Sequence, residues 1–245
     1  MDAEKSYDDY WESGKHGTDA WTESQFDKWL APLKNQGRVL DYGAGMGFSY
    51  QKELLRNCRE YVGADISNVA LADLERKGLK NVRISADGKI DAPDASFDAA
   101  VCCEVMEHLW DPLSAARELA RVLKPGGVLV STVPNFGYLP WRLLALFRAE
   151  VWSEPEDPEQ DPFKGVHIRH FSLRSFGQLY RMAGFSTADV AHFDECNILH
   201  VFHAVNMQRF GGYLGAKLPR FCRMPWLQSV SPSLFGQRLR AICIR

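Results

Sequence analysis

Two acids and a histidine have a spacing suited to chemistry in the stretch Glu104-x-x-Glu107-His108. On one helical turn, positions i, i+3 and i+4 share a side, so both carboxylates and the imidazole would face one place. His108 is a candidate general base, because an imidazole titrates near neutral pH. Alternatively, the three side chains bind a divalent cation, or they only contact cofactor and the following loop.

A second pattern combines Asp41 with the alternating glycines of Gly43-x-Gly45-x-Gly47. An apolar run precedes it and helix-forming sequence follows, so the pattern predicts a strand, a turn and a helix N-terminus that together bind a nucleotide. The dinucleotide fingerprint would need its third glycine at Phe48, so the spacing does not fit. An acid ahead of the glycines suits a cationic ligand better than a pyrophosphate. A turn that merely needs glycine is the alternative.

Four predicted strands end in an acid, and helical segments separate them. Helix 67–77 has Ser67 as its predicted N-cap, and a later helix begins at Asp111-Pro112. Strands alternating with helices of this length predict an α/β fold with an open, doubly wound parallel sheet. Ligands bind at the carboxyl ends of such strands. We therefore expect these acids to meet at one rim: Asp41, Asp65, Asp87 and Glu104.

Together with the glycine turn, the strand segments 61–66, 82–88, 97–104 and 123–130 resemble the class I S-adenosylmethionine-dependent methyltransferases, closely over residues 36–135. The resemblance implies a Rossmann-like seven-stranded sheet, mostly parallel with an antiparallel last strand at 238–244, and helices on both faces. It also implies that S-adenosylmethionine is the cofactor and S-adenosylhomocysteine the product. The implied cofactor-binding residues are Asp41, Gly43, Ala44, Gly45, Gly47, Asp65, Ile66, Asp87, Gly88 and Glu104.

Within that resemblance, each acid has an expected partner. Asp41 and the glycines would hold the methionine end, Asp65 the ribose and Asp87 the adenine amine. Glu104 would form the floor near the sulfur. The sequence thus predicts a site rimmed by acids and short of lysine or arginine.

The Glu-x-x-Glu-His pattern also occurs in ubiquinone-pathway O-methyltransferases and in small-RNA 3′-end 2′-O-methyltransferases, where it is tied to Mg²⁺. The resemblance thus implies a possible Mg²⁺ at Glu104, Glu107 and His108, which the later His167 or His170 would complete. The predicted catalytic residues are His108, Glu107 and His170. The expected acceptor is an oxygen of a small, lipid-linked or glycan-linked molecule. The alternatives are a Mg-dependent RNA 2′-O-methyltransferase and a non-catalytic S-adenosylmethionine-binding protein.

Length and pattern predict one domain over residues 1–245. Its N-terminal part contains aromatic residues that are candidates for a lid over the cofactor, Tyr7, Tyr10 and Trp11, and an amphipathic helix is predicted at 18–33. Proline and acid residues at 153–164 predict a surface loop. The parts are an N-terminal cap (1–35), the cofactor-binding core (36–135) and substrate-side insertions (136–171 and 196–236).

Charge divides the chain unevenly, because residues 196–245 carry +7 while the rest carries −9. An acidic main domain without a separate RNA-binding module argues against nucleic acid. The basic, aromatic segment 196–235 suggests a membrane surface, an anionic acceptor or an oligomer contact. Six cysteines without a C-x-x-C pair, no leader pattern and no long apolar run predict a cytoplasmic protein.

Overall fold

Seven strands form one mixed sheet. The computed structural model describes residues 3–12, 29–47, 49–148, 167–192, 234 and 238–245. Along the chain the strands are β1 (Gln36–Tyr42), β2 (Cys58–Asp65), β3 (Lys80–Arg83), β4 (Phe97–Cys103), β5 (Leu123–Pro134), β6 (Thr187–His192) and β7 (Arg238–Ile244). In the sheet their order is β3-β2-β1-β4-β5-β7-β6. β1 to β5 pair in parallel, while β7 runs antiparallel to both of its neighbours.

Six helices accompany the sheet in the described part of the chain. They are α1 (Ala3–Glu12), α2 (Ser49–Asn57), α3 (Asn68–Arg76), α4 (Pro112–Val122), α5 (Leu139–Arg148) and α6 (Leu173–Met182), and short 3₁₀ turns lie at Ala31–Leu33 and Met106–His108. This Rossmann-like architecture confirms the predicted fold class, including the antiparallel last strand.

Two apolar clusters lie on opposite faces of the sheet, because successive strand residues point to opposite sides. In β4, Ala99 and Val101 belong to one cluster, while Ala100 and Cys102 belong to the other. Side chains of α2 and α3 pack into the first cluster, and side chains of α4 and α6 pack into the second. Helices therefore cover both faces, and the carboxyl ends of the central strands are left to form a site.

Capping residues fix where three helices begin, and hence how the strand-end loops leave the sheet. Ser67 Oγ accepts from Ala70 N (3.2 Å) and Asp111 Oδ1 accepts from Ser114 N (3.0 Å), which confirms both predicted caps. Ser172 caps α6 in a capping box with Ser175.

Several predicted segments cannot be compared with the structure. The loop predicted at 153–164 and the segment 196–235 apart from Leu234 lie outside the described residues, as does most of the helix predicted at 18–33. Of that helix, Trp29, Leu30 and Leu33 are described and are buried. None of the described helices has the length and apolar character needed to span a bilayer.

Candidate active site

The turn after β1 has a backbone that favours glycine at three positions. Gly43, Gly45 and Gly47 have φ angles of 75°, 53° and 91°. These angles lie in or near the left-handed region, which residues with a Cβ adopt only with strain. The sequence therefore needs glycine here for geometric reasons, whatever ligand binds.

Neighbouring strands fix this turn from both sides. Gly43 N and Ala44 N both donate to the carbonyl oxygen of Ala64 at the end of β2 (2.8 and 3.1 Å). A Cβ added to Gly43 would lie 2.5 Å from Val105 Cγ2. The glycine turn thus lies directly against the Glu104–His108 segment that follows β4.

A lysine also reaches the turn, which the sequence pattern did not predict. Lys77 Nζ donates to the carbonyl oxygen of Met46 and lies 2.6 Å from Asp73 Oδ2. Lys77 is the C-cap residue of α3, and its charge is paired with Asp73 of the same helix.

Asp41 is fully buried behind the turn, and hydrogen bonds engage both of its carboxylate oxygens. Tyr50 Oη donates to Oδ1 (3.1 Å) and Tyr61 Oη donates to Oδ2 (2.7 Å). Burial raises the pKa of Asp41 to about 7, although the two tyrosines lower it. Its contact with the methionine end of a cofactor stays a prediction.

This raised pKa predicts a pH-dependent stability difference in the cofactor-free protein. The folded pKa exceeds the ordinary value of 3.8, so the stabilising effect of the bound proton is complete below that value and lost as pH rises through about 7. Asp41→Asn, which stays neutral, should become steadily more stable relative to wild type between about pH 5 and pH 7, by at most about 1.4 kcal/mol per pH unit, and the difference should level off above about pH 7. Urea unfolding measures the difference.

Asp87→Asn is the matched control, because Asp87 is exposed and a hydrogen bond from Ser85 lowers the pKa of its carboxyl. Its stability difference from wild type should stay constant over the same pH range. A constant difference for Asp41→Asn as well would contradict the prediction.

Asp65 at the end of β2 connects the glycine turn to the start of α3. Its Oδ2 accepts from Gly45 N (2.8 Å) and its Oδ1 accepts from Ser67 N (2.9 Å). Burial raises the pKa of this carboxyl. The side chain lies where a ribose is expected, and Ile66 follows it at the same edge.

Asp87 and Gly88 lie in a tight turn beyond β3, the edge strand. Gly88 N donates to Ser85 O (2.8 Å), and Ser85 Oγ donates to Asp87 Oδ1. β3 ends at Arg83 and not at the predicted Asp87, so this acid lies in an exposed turn outside the row of strand-end acids. Its proposed contact with an adenine amine stays a prediction.

The helix α1 docks over the same edge through two of its acids. Asp8 accepts from Ser67 Oγ and from Val69 N (3.3 Å), and Glu4 lies 2.6 Å from Arg83 Nη2. Burial, and after it the charges of Asp65 and Glu107, raises the pKa of Tyr7 to about 12. The role of this helix as a lid stays a prediction.

Loosening this helix should speed cofactor release. We expect Asp8→Ala to raise hydrogen exchange in residues 3–12 and to raise the dissociation rate of S-adenosylmethionine by about two- to tenfold, as expected for the loss of one hydrogen-bonding group. Stopped-flow fluorescence measures the rate. Asp9→Ala, at an exposed position of the same helix, is the control; equal rates for both variants would show that α1 is not a lid.

Glu104 departs from the single helical turn expected at 104–108. Its φ is 53°, so the 3₁₀ turn begins only at Met106. Thr132 Oγ1 donates to Glu104 Oε1 (2.9 Å) and Arg238 Nε donates to Oε2 (3.2 Å). The Glu104 carboxylate is thereby directed toward β5 and β7. The sequence motifs did not indicate Arg238 as a residue of this rim.

Glu107 and His108 lie together, and His167 joins them from a distant part of the chain. Glu107 Oε1 is 3.8 Å from His108 Nε2 and 4.0 Å from His167 Nε2. Burial raises the pKa of Glu107 well above its ordinary value, as does the charge of Glu104, and burial lowers the pKa of His167 to about 4. His170 instead packs on Phe136, with ring centroids 3.9 Å apart.

Sheet order, glycine turn and strand-end acids together define a Rossmann-like domain for a nucleoside-containing cofactor. Comparison with known proteins identifies the family. The sequence profile of the methyltransferase domain family matches residues 18–190. The chain belongs to the class I S-adenosylmethionine-dependent methyltransferases.

Relatives and a solved structure agree with that family. A probable S-adenosylmethionine-dependent methyltransferase from Mycolicibacterium smegmatis is 28% identical over 182 residues, 74% of this chain and 61% of that protein. A ubiquinone biosynthesis O-methyltransferase from Alkalilimnicola ehrlichii is 35% identical over 104 residues, 40% of this chain and 42% of that protein. The match thus spans less than two thirds of either relative. A SAM-dependent methyltransferase structure from Archaeoglobus fulgidus has a TM-score of 0.57 at 18% identity, covering 91% of this chain and 92% of that one.

Proposed function

We propose that this chain transfers the methyl group of S-adenosylmethionine to an oxygen of a small, lipid-linked or glycan-linked acceptor. The observation that carries the proposal is the juxtaposition of the glycine turn with the segment holding Glu107 and His108, through the Val105 contact at Gly43. The glycine turn proposed as the cofactor site and a carboxylate–imidazole pair are therefore neighbours at the carboxyl ends of β1 and β4.

The residues at the turn suit the cofactor. Gly43, Gly45 and Gly47 allow close approach of a ligand to the backbone. Asp65, whose carboxylate accepts from Gly45 N and Ser67 N, lies at the end of β2, where the sequence pattern predicts an acid for the ribose diol. When bound, the cofactor supplies an electrophilic methyl group on a sulfonium. The protein's contribution is to align acceptor oxygen, methyl carbon and sulfur, and to exclude water.

Glu107 and His108 would activate the acceptor oxygen. As the oxygen forms its bond to the methyl carbon, the carbon–sulfur bond breaks and its electron pair goes to the sulfur. The hydroxyl proton must leave, and His108 Nε2 lies at the rim to accept it. The ubiquinone O-methyltransferase likeness supports oxygen as the acceptor atom.

A divalent metal ion belongs to the same proposal, at Glu107, His108 and His167 in place of the Mg²⁺ predicted at Glu104, Glu107 and His108. Mg²⁺ prefers oxygen ligands, but Thr132 and Arg238 engage the Glu104 carboxylate. Glu107 and His108 are grouped with His167 instead.

Calorimetry followed by product analysis tests the function. S-adenosylmethionine should bind the purified chain, and a labelled methyl group should then pass to a compound in fractionated cell extract, which mass spectrometry identifies. Glu107→Ala is the control that should abolish labelling. Cofactor binding without transfer to any fraction would favour a binding protein, and label confined to RNA would favour RNA 2′-O-methylation. Binding of a nicotinamide or flavin nucleotide instead would refute the proposal.

A cytoplasmic location with peripheral membrane contact through residues 196–235 is also proposed. Cys58, Cys102, Cys103 and Cys243 are free thiols, which agrees with a reducing compartment. The segment contributes four bases and no acid, namely Arg209, Lys217, Arg220 and Arg223. Replacing all four by serine should reduce co-sedimentation with phosphatidylglycerol vesicles; unchanged co-sedimentation would remove the membrane contact.

A further inference from the structure

Arg169 carries a charge that forms no ion pair with an acid in the described part of the chain. Its guanidinium donates to two carbonyl oxygens, from Nη2 to Trp110 O (2.5 Å) and from Nη1 to Ile168 O (3.4 Å). By contrast, Arg238 Nε at the same rim lies 3.2 Å from Glu104 Oε2. A guanidinium has five N–H donors, so Arg169 retains both donors and charge for a ligand.

The side chain of Trp110 lies beside this guanidinium and is 75% exposed. Arg169 Cζ lies over the indole, 5.7 Å from the ring centroid, within the range of a cation–π contact. A lone exposed aromatic residue is ordinary at a protein surface. One that adjoins an arginine without an acid partner offers a flat apolar surface next to an anion-binding group.

Main-chain contacts place this pair at the mouth of the proposed active site. Arg169 N donates to the carbonyl oxygen of Glu107 (2.9 Å). The His108 and His167 rings have centroids 5.0 Å apart. Trp110 follows the first histidine by two residues and Arg169 follows the second by two, a distance of at most about 7 Å between Cα atoms. An acceptor whose hydroxyl lies at His108 can therefore reach the guanidinium across roughly the width of one ring.

The chemistry of the pair indicates the kind of ligand. A guanidinium presents its donors in a planar fork that matches two oxygens of a carboxylate or a phosphate. An indole packs well against another ring. We propose that Arg169 and Trp110 bind the methyl acceptor, Arg169 through a carboxylate or phosphate group and Trp110 through a ring that adjoins that group.

This proposal deepens the proposed function and rests on it for the statement that the bound molecule is the methyl acceptor. Holding the anionic group fixes one end of the acceptor, so that the hydroxyl at its other end is aligned with the methyl carbon. Absent transfer to any compound would defeat the proposed function. Transfer to a neutral compound would leave the proposed function standing and would defeat this proposal.

Small probes test the anion site in the intact chain without any transfer. In the presence of S-adenosylhomocysteine, benzoate and phenyl phosphate are titrated by NMR, and benzamide is the neutral probe. We expect at least one of the two anions to bind at least about tenfold more tightly than benzamide, the gain from a charge-assisted hydrogen bond. Equal affinities, or no binding of either anion at millimolar concentration, overturn the proposal.

Matched arginine variants assign the site. Arg169→Gln should remove the preference for the anion, and Arg169→Lys should keep part of it because the charge remains. Arg174→Gln, which removes an exposed arginine of α6, should bind all probes as wild type does. Equal losses in Arg169→Gln and Arg174→Gln would reduce the effect to overall charge and overturn the assignment.

A tryptophan variant tests the ring contact separately. Trp110→Ala should weaken benzoate and benzamide by similar factors, because both carry the ring, and should leave the preference for the anion in place. The bond from Arg169 goes to the main-chain oxygen of Trp110, which alanine retains. Unchanged binding of both probes contradicts the part assigned to Trp110.

The labelled product of the extract assay tests the proposal with the natural acceptor. After ribonuclease treatment, an anion-exchange resin should retain this product at neutral pH, and mass spectrometry should show whether it carries a carboxylate or a phosphate. With that acceptor, Arg169→Gln should raise KM by at least about tenfold and change kcat less, because the anion contact is made before and during transfer. A neutral product, or an unchanged KM, overturns the proposal.

Discussion

Replacing Gly43 by alanine is expected to weaken S-adenosylmethionine binding by roughly five- to 150-fold, since strained backbone alone costs on the order of 1–3 kcal/mol. The φ of 75° disfavours a side chain, and the new Cβ would lie 2.5 Å from Val105 Cγ2. The turn must then move away from the carboxyl end of β1. Calorimetry measures the affinity, and urea unfolding reports the accompanying loss of stability.

Two further variants separate strain from steric contact. Gly126 has a φ of 77° with nothing within 4 Å of an added Cβ, and it lies near the amino-terminal end of β5, whereas the glycine turn lies at the carboxyl end of β1. Gly126→Ala should lower stability while leaving cofactor affinity unchanged. Adding Val105→Ala to Gly43→Ala removes the contact and should restore part of the affinity. Wild-type affinity in Gly43→Ala would show that the turn is not the cofactor site.

His108→Gln is expected to lower the rate of methyl transfer by at least about a hundredfold, the usual contribution of a general base. Cofactor affinity should be unchanged, because the predicted cofactor contacts lie at the glycine turn and Asp65. Single-turnover transfer of a labelled methyl group to the acceptor found in extract measures the rate.

Arg117→Gln serves as the control for that variant, because Arg117 is exposed on α4. Its transfer rate should equal that of wild type. If His108→Gln transfers at the wild-type rate, the imidazole has no part in activating the acceptor, whether as a base or as a metal ligand.

Sequence pattern was sufficient for the parts of the fold that are set locally. β7 spans the predicted 238–244, and Ser67 and Asp111 cap the helices that they were expected to cap. Strand alternation and helix caps depend on residues a few positions apart, so the local sequence pattern is enough to predict them. The glycine turn was predictable for the same reason.

Contacts between distant segments were beyond the sequence pattern. His167 and His170 were equivalent candidates, and only the backbone bonds to Glu107 O bring His167 into the cluster. Arg238 and Lys77 reach the rim from β7 and from the end of α3. None of these pairings follows from local spacing.

Tertiary contacts also accompany two local conformations that the sequence pattern did not predict. Residues 3–12 form a helix in which Asp8 and Glu4 have partners at the start of α3 and on β3, and its role as a lid stays a prediction. Glu104 was expected to share a helical turn with Glu107, but its contacts with Thr132 and Arg238 accompany a left-handed backbone.

The two amide hydrogen bonds from Ile168 and Arg169 to the Glu107 carbonyl have a consequence for how such proteins diversify. They anchor the chain at Ile168 and Arg169, so His167 keeps its place beside Glu107 whatever sequence precedes it. If the predicted substrate-side insertion at 136–171 selects the acceptor, that selection can change while the residues beside Glu107 stay in position.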